Sequence, residues 1–221
     1  MSYSMLPLAW APLFDDASFY VSKSNEEAFR WIQTWPLKAP LYHLCIWGPT
    51  GSGKTHLGSL WARRCHGVWL PSVDAQFIHP GQHYILDLPF SHILQNGSEN
   101  LLHFLEAVRE QKCYCLWLSE TATSQWPIIC SSTSSRLTSI PCIEIQQPDD
   151  TLLKNVFRKA FFDRGMDVPE PLILFLVQRA ERSFHAIRRL VERIHLYTLQ
   201  KQCPISMAVM KKNLLSEDKI E

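Results

Sequence analysis

The segment WGPTGSGKTH, residues 47–56, constrains this chain more strongly than any other stretch of its sequence. It matches G-x-x-x-x-G-K-[ST], the pattern of loops that bind the phosphates of nucleotides. Glycines let backbone N–H groups approach a phosphate, the lysine neutralises phosphate oxygens, and the threonine hydroxyl can ligate Mg²⁺. The predicted nucleotide site comprises Gly48, Pro49, Thr50, Gly51, Ser52, Gly53, Lys54, Thr55 and His56.

A phosphate loop of this kind lies between a strand and a helix. The apolar run LYHLCIW precedes it, and THLGSLWARRC after it has helical period. A helix is also predicted at 24–35, and another at 98–111. Further short apolar runs occur at 67–70, 83–88, 113–118 and 141–145. This alternation predicts an α/β fold, the body of a P-loop NTPase, in which helices cover a parallel sheet.

Beyond the predicted sheet the character of the sequence changes. From Asp149 onward every segment has helical period, and Gly165, Pro169 and Pro204 separate the predicted helices. The α/β body is therefore expected to carry a small all-helical domain. The predicted division is an extended arm at 1–13, an α/β nucleotide-binding domain at 14–147, a helical lid domain at 148–217 and a tail at 218–221.

Composition narrows the class of protein. Of the 221 residues 46% are hydrophobic and 19% charged, and the formal net charge is +1, which is typical of a globular domain without the basic excess of nucleic-acid binders. The seven cysteines include no C-x-x-C pair and no zinc-like spacing. The sequence starts without a signal peptide and contains no membrane-length apolar run, so we expect a reducing, cytoplasmic location without a membrane partner.

Nucleotide hydrolysis needs acidic groups beside the phosphates. Asp87 closes an apolar run and is predicted to ligate Mg²⁺ together with Thr55. A second acid usually follows to position the attacking water, but Leu88 and Pro89 stand there. Intrinsic hydrolysis is therefore expected to be slow or absent. Ser119, at the end of a later apolar run, is a candidate contact to the γ-phosphate.

Five segments of the chain together resemble the DnaA-related branch of the AAA+ ATPases. These are FYVSKSNEEAF, GPTGSGKTH, ILDL, SSRLTSIPCIEIQQPDD and RSFHAIRRLVERI. The resemblance spans nearly the whole chain and is closest to the alphaproteobacterial form of the Hda type, regulators that inactivate the replication initiator DnaA. It implies the AAA+ fold and ADP or ATP, with Mg²⁺, as the nucleotide.

The resemblance also implies functions for residues outside the phosphate loop. Val21, with Phe19 and Asn25, would lie against the adenine, although burial statistics favour a core position for Phe19. In the lid, the alignment leaves His185 and Arg188 open as the residue that senses the nucleotide, and Arg188 is favoured.

Arg136 matches an arginine that reaches into a neighbouring subunit's nucleotide in this family. Such an arginine finger stabilises charge on the phosphoryl group in the transition state. The alternative is a surface arginine that follows a serine-rich loop.

Family members of this type dock on the replicative sliding clamp through a short N-terminal peptide. Leu6, Pro7 and Leu8 would be its apolar anchors here. Tyr3 stands where that peptide has glutamine, and Ser4 replaces a leucine, so weakened binding to the clamp is expected. The chain ends without the helix-turn-helix domain of the initiator, and DNA is expected to be contacted only indirectly, through the clamp.

The leading hypothesis is a regulator of replication initiation. It would bind the DNA polymerase III sliding clamp and present Arg136 to ATP-bound DnaA, so that DnaA hydrolyses its ATP. A stand-alone ATPase or helicase loader is the alternative. A pure adaptor with a vestigial nucleotide site is a third reading, and a small-molecule kinase is disfavoured because the helical domain follows the sheet. The oligomeric state stays open, with a homo-oligomer as one possibility.

Overall fold

Five short strands form one parallel sheet in the order β2-β3-β4-β1-β5. The computed structural model describes residues 19–37, 41–128 and 130–215. Within these residues the strands are β1 (His43–Trp47), β2 (Gly67–Trp69), β3 (His83–Asp87), β4 (Cys115–Ser119) and β5 (Cys142–Glu144). Because all the strands are parallel, their carboxyl ends lie along the same edge of the sheet, and the phosphate loop begins at that edge.

Helices cover both faces of the sheet, as the sequence predicts. They are α1 (Glu26–Thr34), α2 (Lys54–Cys65), α3 (Phe90–Ile93), α4 (Gly97–Glu110) and α5 (Ser131–Thr138). On one face, α1 and α2 bury Ala28, Leu57 and Trp61 against the sheet. On the other, Phe104 of α4 and Leu137 of α5 pack into a second core. Burial on both faces explains why the strands have nearly continuous apolar runs.

The remaining helices form the lid. They are α6 (Asp150–Phe162), α7 (Glu170–Val177), α8 (Phe184–Lys201) and α9 (Met207–Leu215), and their apolar faces enclose a separate core that includes Phe157, Leu176 and Leu190. The Asp149 side chain accepts a hydrogen bond from the Leu152 N–H at 2.8 Å at the start of α6. Side-chain caps of this kind satisfy backbone donors that the first helical turn leaves unpaired.

The predicted fold class is confirmed, and the structure differs from the sequence prediction in two places. The serine-rich residues before Arg136, a loop in the alternative interpretation of that arginine, form the start of the helix α5, on which Thr133 and Leu137 are buried. The single turn α3 was not predicted, since four residues give too short a pattern. The predicted arm, with its anchors Leu6, Pro7 and Leu8, and the predicted tail lie outside the described residues.

Two further observations concern chemistry outside the nucleotide site. Over residues 19–37, 41–128 and 130–215, no helix is long and apolar enough to cross a bilayer. All seven cysteines are free thiols, and the described part of the chain contains no group of three or more His, Cys, Asp or Glu side chains that could hold a metal ion.

His43 of β1 is hydrogen-bonded to the helix α4 and to the neighbouring strand β4. Its Nε2 lies 3.2 Å from the Leu105 carbonyl oxygen, and the Trp117 Nε1–H donates to its Nδ1 at 3.2 Å. Burial lowers the pKa of His43 to about 4, and the Leu105 contact only partly opposes this shift. The imidazole is therefore neutral in the folded chain at neutral pH.

This burial predicts a loss of stability in mild acid. Unfolded His43 takes up a proton below pH 6.5 and folded His43 does so only near pH 4, so stability is present above pH 6.5 and falls as the pH drops through that window. The shifted pKa of His43 should make the free energy of unfolding about 2 kcal/mol lower at pH 5 than at pH 7. Urea denaturation of His43→Gln should lack this component.

His103→Gln is the matched control, because His103 is exposed on α4. It should keep the acid dependence of the unmodified chain. Equal pH slopes for His43→Gln and His103→Gln would contradict the prediction.

Candidate nucleotide site

The phosphate loop connects the end of β1 to the start of α2 and contacts the lid directly. Gly51 and Gly53 have φ values of 76° and 103°, a region that favours glycine. A Cβ at Gly51 would lie 2.5 Å from the Cβ of Ser183, and one at Gly53 would lie 2.8 Å from the Phe184 ring. These glycines are therefore required both by the turn and by the close approach of α8.

Lys54 and Thr55 begin α2 and face the carboxyl edge of the sheet. The Lys54 ammonium donates to the carbonyl oxygens of Gly48 and Pro49 at 2.7 and 3.0 Å. Burial lowers the pKa of Lys54, and the charges of Glu120 and Asp87 oppose that shift. A bound phosphate would supply the anion that this buried ammonium needs.

Asp87 and Thr55, the predicted Mg²⁺ ligands, are brought together by the fold. The Thr55 hydroxyl donates to Asp87 Oδ2 at 2.7 Å, because β3 ends beside the first turn of α2. A hydroxyl and a carboxylate are oxygen donors of the kind Mg²⁺ prefers. These two side chains fit the cation and would hold it against the nucleotide phosphates.

Ser52 provides an independent test of whether the loop fits a phosphate. Ser52 is 2% exposed, and its hydroxyl has no hydrogen-bond partner among the residues that the structure describes. Buried polar atoms are rarely left unpaired without a reason. A phosphate oxygen in the loop would give this hydroxyl an acceptor, so the residues present fit a nucleotide.

An open cavity of about 720 Å³ extends from the loop along the edge of the sheet. Ser119, the predicted γ-phosphate contact, lines this cavity, as does Leu88. The Gly48 N–H donates to the Ser119 carbonyl oxygen at 3.1 Å. The end of β4 thereby fixes the start of the phosphate loop.

Glu120 lines the same cavity, although the sequence alone does not indicate a site residue there. Its Oε1 accepts a hydrogen bond from the Thr50 hydroxyl at 2.5 Å, so a carboxylate lies across the phosphate loop. The only sequence signal was its position directly after Ser119 at the end of a predicted strand. An acidic residue is ordinary in such a loop, which is why the sequence alone did not single it out.

A second cavity, which would suit the base, lies between the body and the lid. Its walls are formed by Phe19, Tyr20, Asn25, His56, Leu152, Val156, Lys159, Ala160, Asp163, Phe184 and Arg188. Asn25 is 2% exposed, accepts from the Ser22 N–H at 2.8 Å and donates to the Tyr20 carbonyl oxygen at 3.0 Å. It thus shapes the lead-in segment that forms one wall.

Individual lead-in residues differ from the prediction in their orientation. The Phe19 ring stacks on the Phe29 ring, with 5.2 Å between ring centroids, and packs edge-on against the His56 ring, with 5.1 Å between centroids. Phe19 is therefore part of both the core and the cavity wall. Val21 is 47% exposed and does not line this cavity. Its neighbours Phe19 and Tyr20 line the cavity instead.

The lid brings α8 to both cavities. The Phe184 N–H donates to the Gly51 carbonyl oxygen at 3.0 Å, and Phe184 and Arg188 line both cavities. Burial and the charge of Arg164 lower the pKa of Arg188. His185, the alternative sensor, lines neither cavity, which leaves Arg188 as the candidate that faces a nucleotide.

Arg136 lies far from this chain's own phosphate loop. It shares a cavity of about 200 Å³ with His43, the first residue of β1, whereas the loop follows Trp47, the last. Four steps of about 3.3 Å separate the two ends of this strand, a distance of about 13 Å. Arg136 therefore does not border this chain's own phosphate loop.

Comparison with known proteins identifies the fold. Neither a scan against protein-family models nor a search of curated protein sequences gives a match. Among solved structures, the chain is similar to domain III of the replication initiation protein DnaA from Thermotoga maritima, with a TM-score of 0.76, 15% identity, and 95% of this chain and 99% of that chain covered.

Longer proteins share the same fold. AMPPCP-bound DnaA from Aquifex aeolicus has a TM-score of 0.66 at 14% identity, with 87% of this chain and 70% of that chain covered. A Thermotoga maritima RuvB mutant has a TM-score of 0.64 at 17% identity, with 89% of this chain and 69% of that chain covered. This chain therefore has the AAA+ fold shared by DnaA and RuvB.

The contact between Gly51 and the lid gives a testable prediction. Gly51→Ala should weaken binding of Mg-ADP at least about tenfold, because the new methyl group displaces Ser183 and with it the start of α8. Gly81→Ala is the control, since Gly81 has the same φ of 76° with nothing within 4 Å of its Cβ position. Calorimetric titration should show ordinary affinity for Gly81→Ala, and equal losses in the two variants would refute the assignment.

Proposed function

We propose that this chain is an adenine-nucleotide-binding regulator of DNA replication initiation. It would act on ATP-bound DnaA by presenting Arg136 to the nucleotide of DnaA. The observation that carries this proposal is the separation between Arg136 and the chain's own phosphate loop, at opposite ends of β1. The likeness in fold to DnaA supports a partner of the same architecture.

The residues of the chain's own nucleotide site favour a protein that activates hydrolysis in its partner and does not hydrolyse its own nucleotide. Leu88 lines the phosphate cavity where an acid would position the attacking water. A subunit that only activates its neighbour needs no such acid. Its own ADP or ATP, held by the loop and by Mg²⁺ on Thr55 and Asp87, would fix the lid against the body.

Arg136 sits on a firmly anchored helix, as a group that acts in trans requires. The Thr133 hydroxyl of α5 donates to the Ser98 carbonyl oxygen at 3.2 Å, and Leu137 is 1% exposed. The Ser139 hydroxyl donates to the carbonyl oxygen of Arg136 at 2.6 Å. The backbone that carries the guanidinium is therefore held in place, which favours transition-state stabilisation by positioning.

The sliding clamp is the second proposed partner, through Leu6, Pro7 and Leu8. This part of the proposal rests on the sequence resemblance alone. Docking on a clamp loaded on DNA would raise the local concentration of the regulator where initiators assemble.

Arg136→Ala tests the proposal. In a mixture of this chain, ATP-bound DnaA and clamp loaded on DNA, the variant should lower the stimulated rate of ATP hydrolysis about a thousandfold while its own ADP affinity stays unchanged. Arg30→Ala is the control, since Arg30 forms an exposed ion pair with Glu26 on α1. Full stimulation by Arg136→Ala would overturn the assignment of the finger.

A stand-alone ATPase is the second candidate, and Glu120 favours it. The carboxylate lies in the phosphate cavity beside Thr50 and could orient a water in place of the acid missing at Leu88. The regulator proposal predicts negligible ATP hydrolysis by the chain alone. Hydrolysis that is abolished in Lys54→Ala and in Glu120→Gln, with ATP binding retained in the latter, would favour the second candidate.

A further inference from the structure

We infer that Glu106 exchanges its ion-pair partner between Arg136 and Arg109 when Arg136 engages a phosphate group. The inference rests on the proposed function, because it concerns how the finger is held before and after it meets the neighbouring nucleotide. Glu106 and Arg109 are then positioning residues, since both act through Arg136.

The first observation is that Arg136 is already paired. Its Nη2 donates to Glu106 Oε1 at 2.8 Å, and the two side chains are 39% and 33% exposed. The contact crosses from α5 to α4 and fixes the direction of the guanidinium. A pair this exposed contributes little stability, so a phosphate with more negative charge can replace the carboxylate.

The second observation concerns Arg109, a second arginine that lines the same cavity. Arg109 lies three residues after Glu106 on α4, a spacing that puts both side chains on the same helix face. Arg109 lines the same cavity as Arg136. Among the described residues its side chain makes no hydrogen bond or ion pair.

Apart from the two arginines, the lining of this cavity contains no side chain that is charged at neutral pH. The cavity that holds both guanidinium groups is otherwise lined by Leu41, Tyr42, His43, Leu105, Ser139, Ile140 and Pro141. His43 is neutral at neutral pH, because burial lowers its pKa to about 4. The charged groups of this cavity and of the ion pair at its edge are thus two guanidinium groups and one carboxylate.

This balance makes the exchange favourable. When Arg136 moves to a phosphate, Glu106 would otherwise remain as an unpaired anion close to the incoming negative charge, and like charges repel. Pairing Glu106 with Arg109 neutralises that anion without moving either helix. The ion pair with Glu106 therefore orients Arg136 before the phosphate arrives. Breaking that pair then needs little free energy, because Arg109 takes the place of Arg136.

A double-mutant cycle tests the exchange, with stimulation of ATP hydrolysis by ATP-bound DnaA on clamp-loaded DNA as the assay. Arg109→Gln should raise the concentration needed for half-maximal stimulation about two- to fivefold, the effect of one partly exposed ion pair. Glu106→Gln should lower that concentration or leave it unchanged, because Arg136 no longer has to leave a carboxylate. In the Glu106→Gln background the Arg109→Gln effect should disappear, and the maximal stimulated rate should stay within twofold in all three variants.

Independent effects would overturn the inference. If Arg109→Gln weakens stimulation equally with and without Glu106, Arg109 attracts the partner directly. If Arg109→Gln has no effect, no exchange occurs. Glu110→Gln, an exposed carboxylate next to Arg109, is the control for a general change in charge and should not remove the Arg109→Gln effect. Arg136→Ala tested alongside separates the two levels: full stimulation by that variant means that the proposed function itself fails.

Discussion

The hydrogen bond from the Phe184 N–H to the Gly51 carbonyl oxygen, together with the packing of Ser183 and Phe184 on the glycine loop, joins the two parts of this molecule. Without that contact the lid would keep its own core but lose its direct hydrogen bond to the phosphate loop. With it, the start of α8 forms a wall common to the phosphate cavity and the base cavity. A nucleotide that fills both would contact residues from each part of the chain, so binding and lid position are physically coupled.

Charge is divided between the two ends of the sheet. At the carboxyl edge, Lys54 and Arg188 face Asp87 and Glu120 in one cavity, an arrangement suited to phosphates and a divalent cation. At the amino edge, Arg136 and Arg109 line one cavity, and Arg136 forms an ion pair with Glu106. The proposed action on a partner depends on this separation: the carboxyl edge would hold this chain's nucleotide, and Arg136 at the amino edge would meet a nucleotide held by the partner.

The sequence predicts the parallel sheet, the lid helices and the phosphate loop because each has a short-range pattern: apolar runs, helical period and the glycine-lysine motif. The pairing of Thr55 with Asp87 follows from the rule that parallel strands end at one edge. Glu120 and the Arg136–Glu106 pair depend on loop paths and helix packing between residues far apart in sequence, and no local pattern encodes those. The orientation of Val21 depends on the path of the lead-in segment past the cavity, which no local pattern encodes.

Amide hydrogen exchange with and without saturating Mg-ADP tests the coupling of lid, loop and lead-in most directly, because it reports local opening of each backbone segment. The account predicts that the nucleotide slows exchange together in 19–25, 48–55 and 183–188, since all three border the two cavities. Slower exchange confined to the phosphate loop, with 183–188 unchanged, would contradict it.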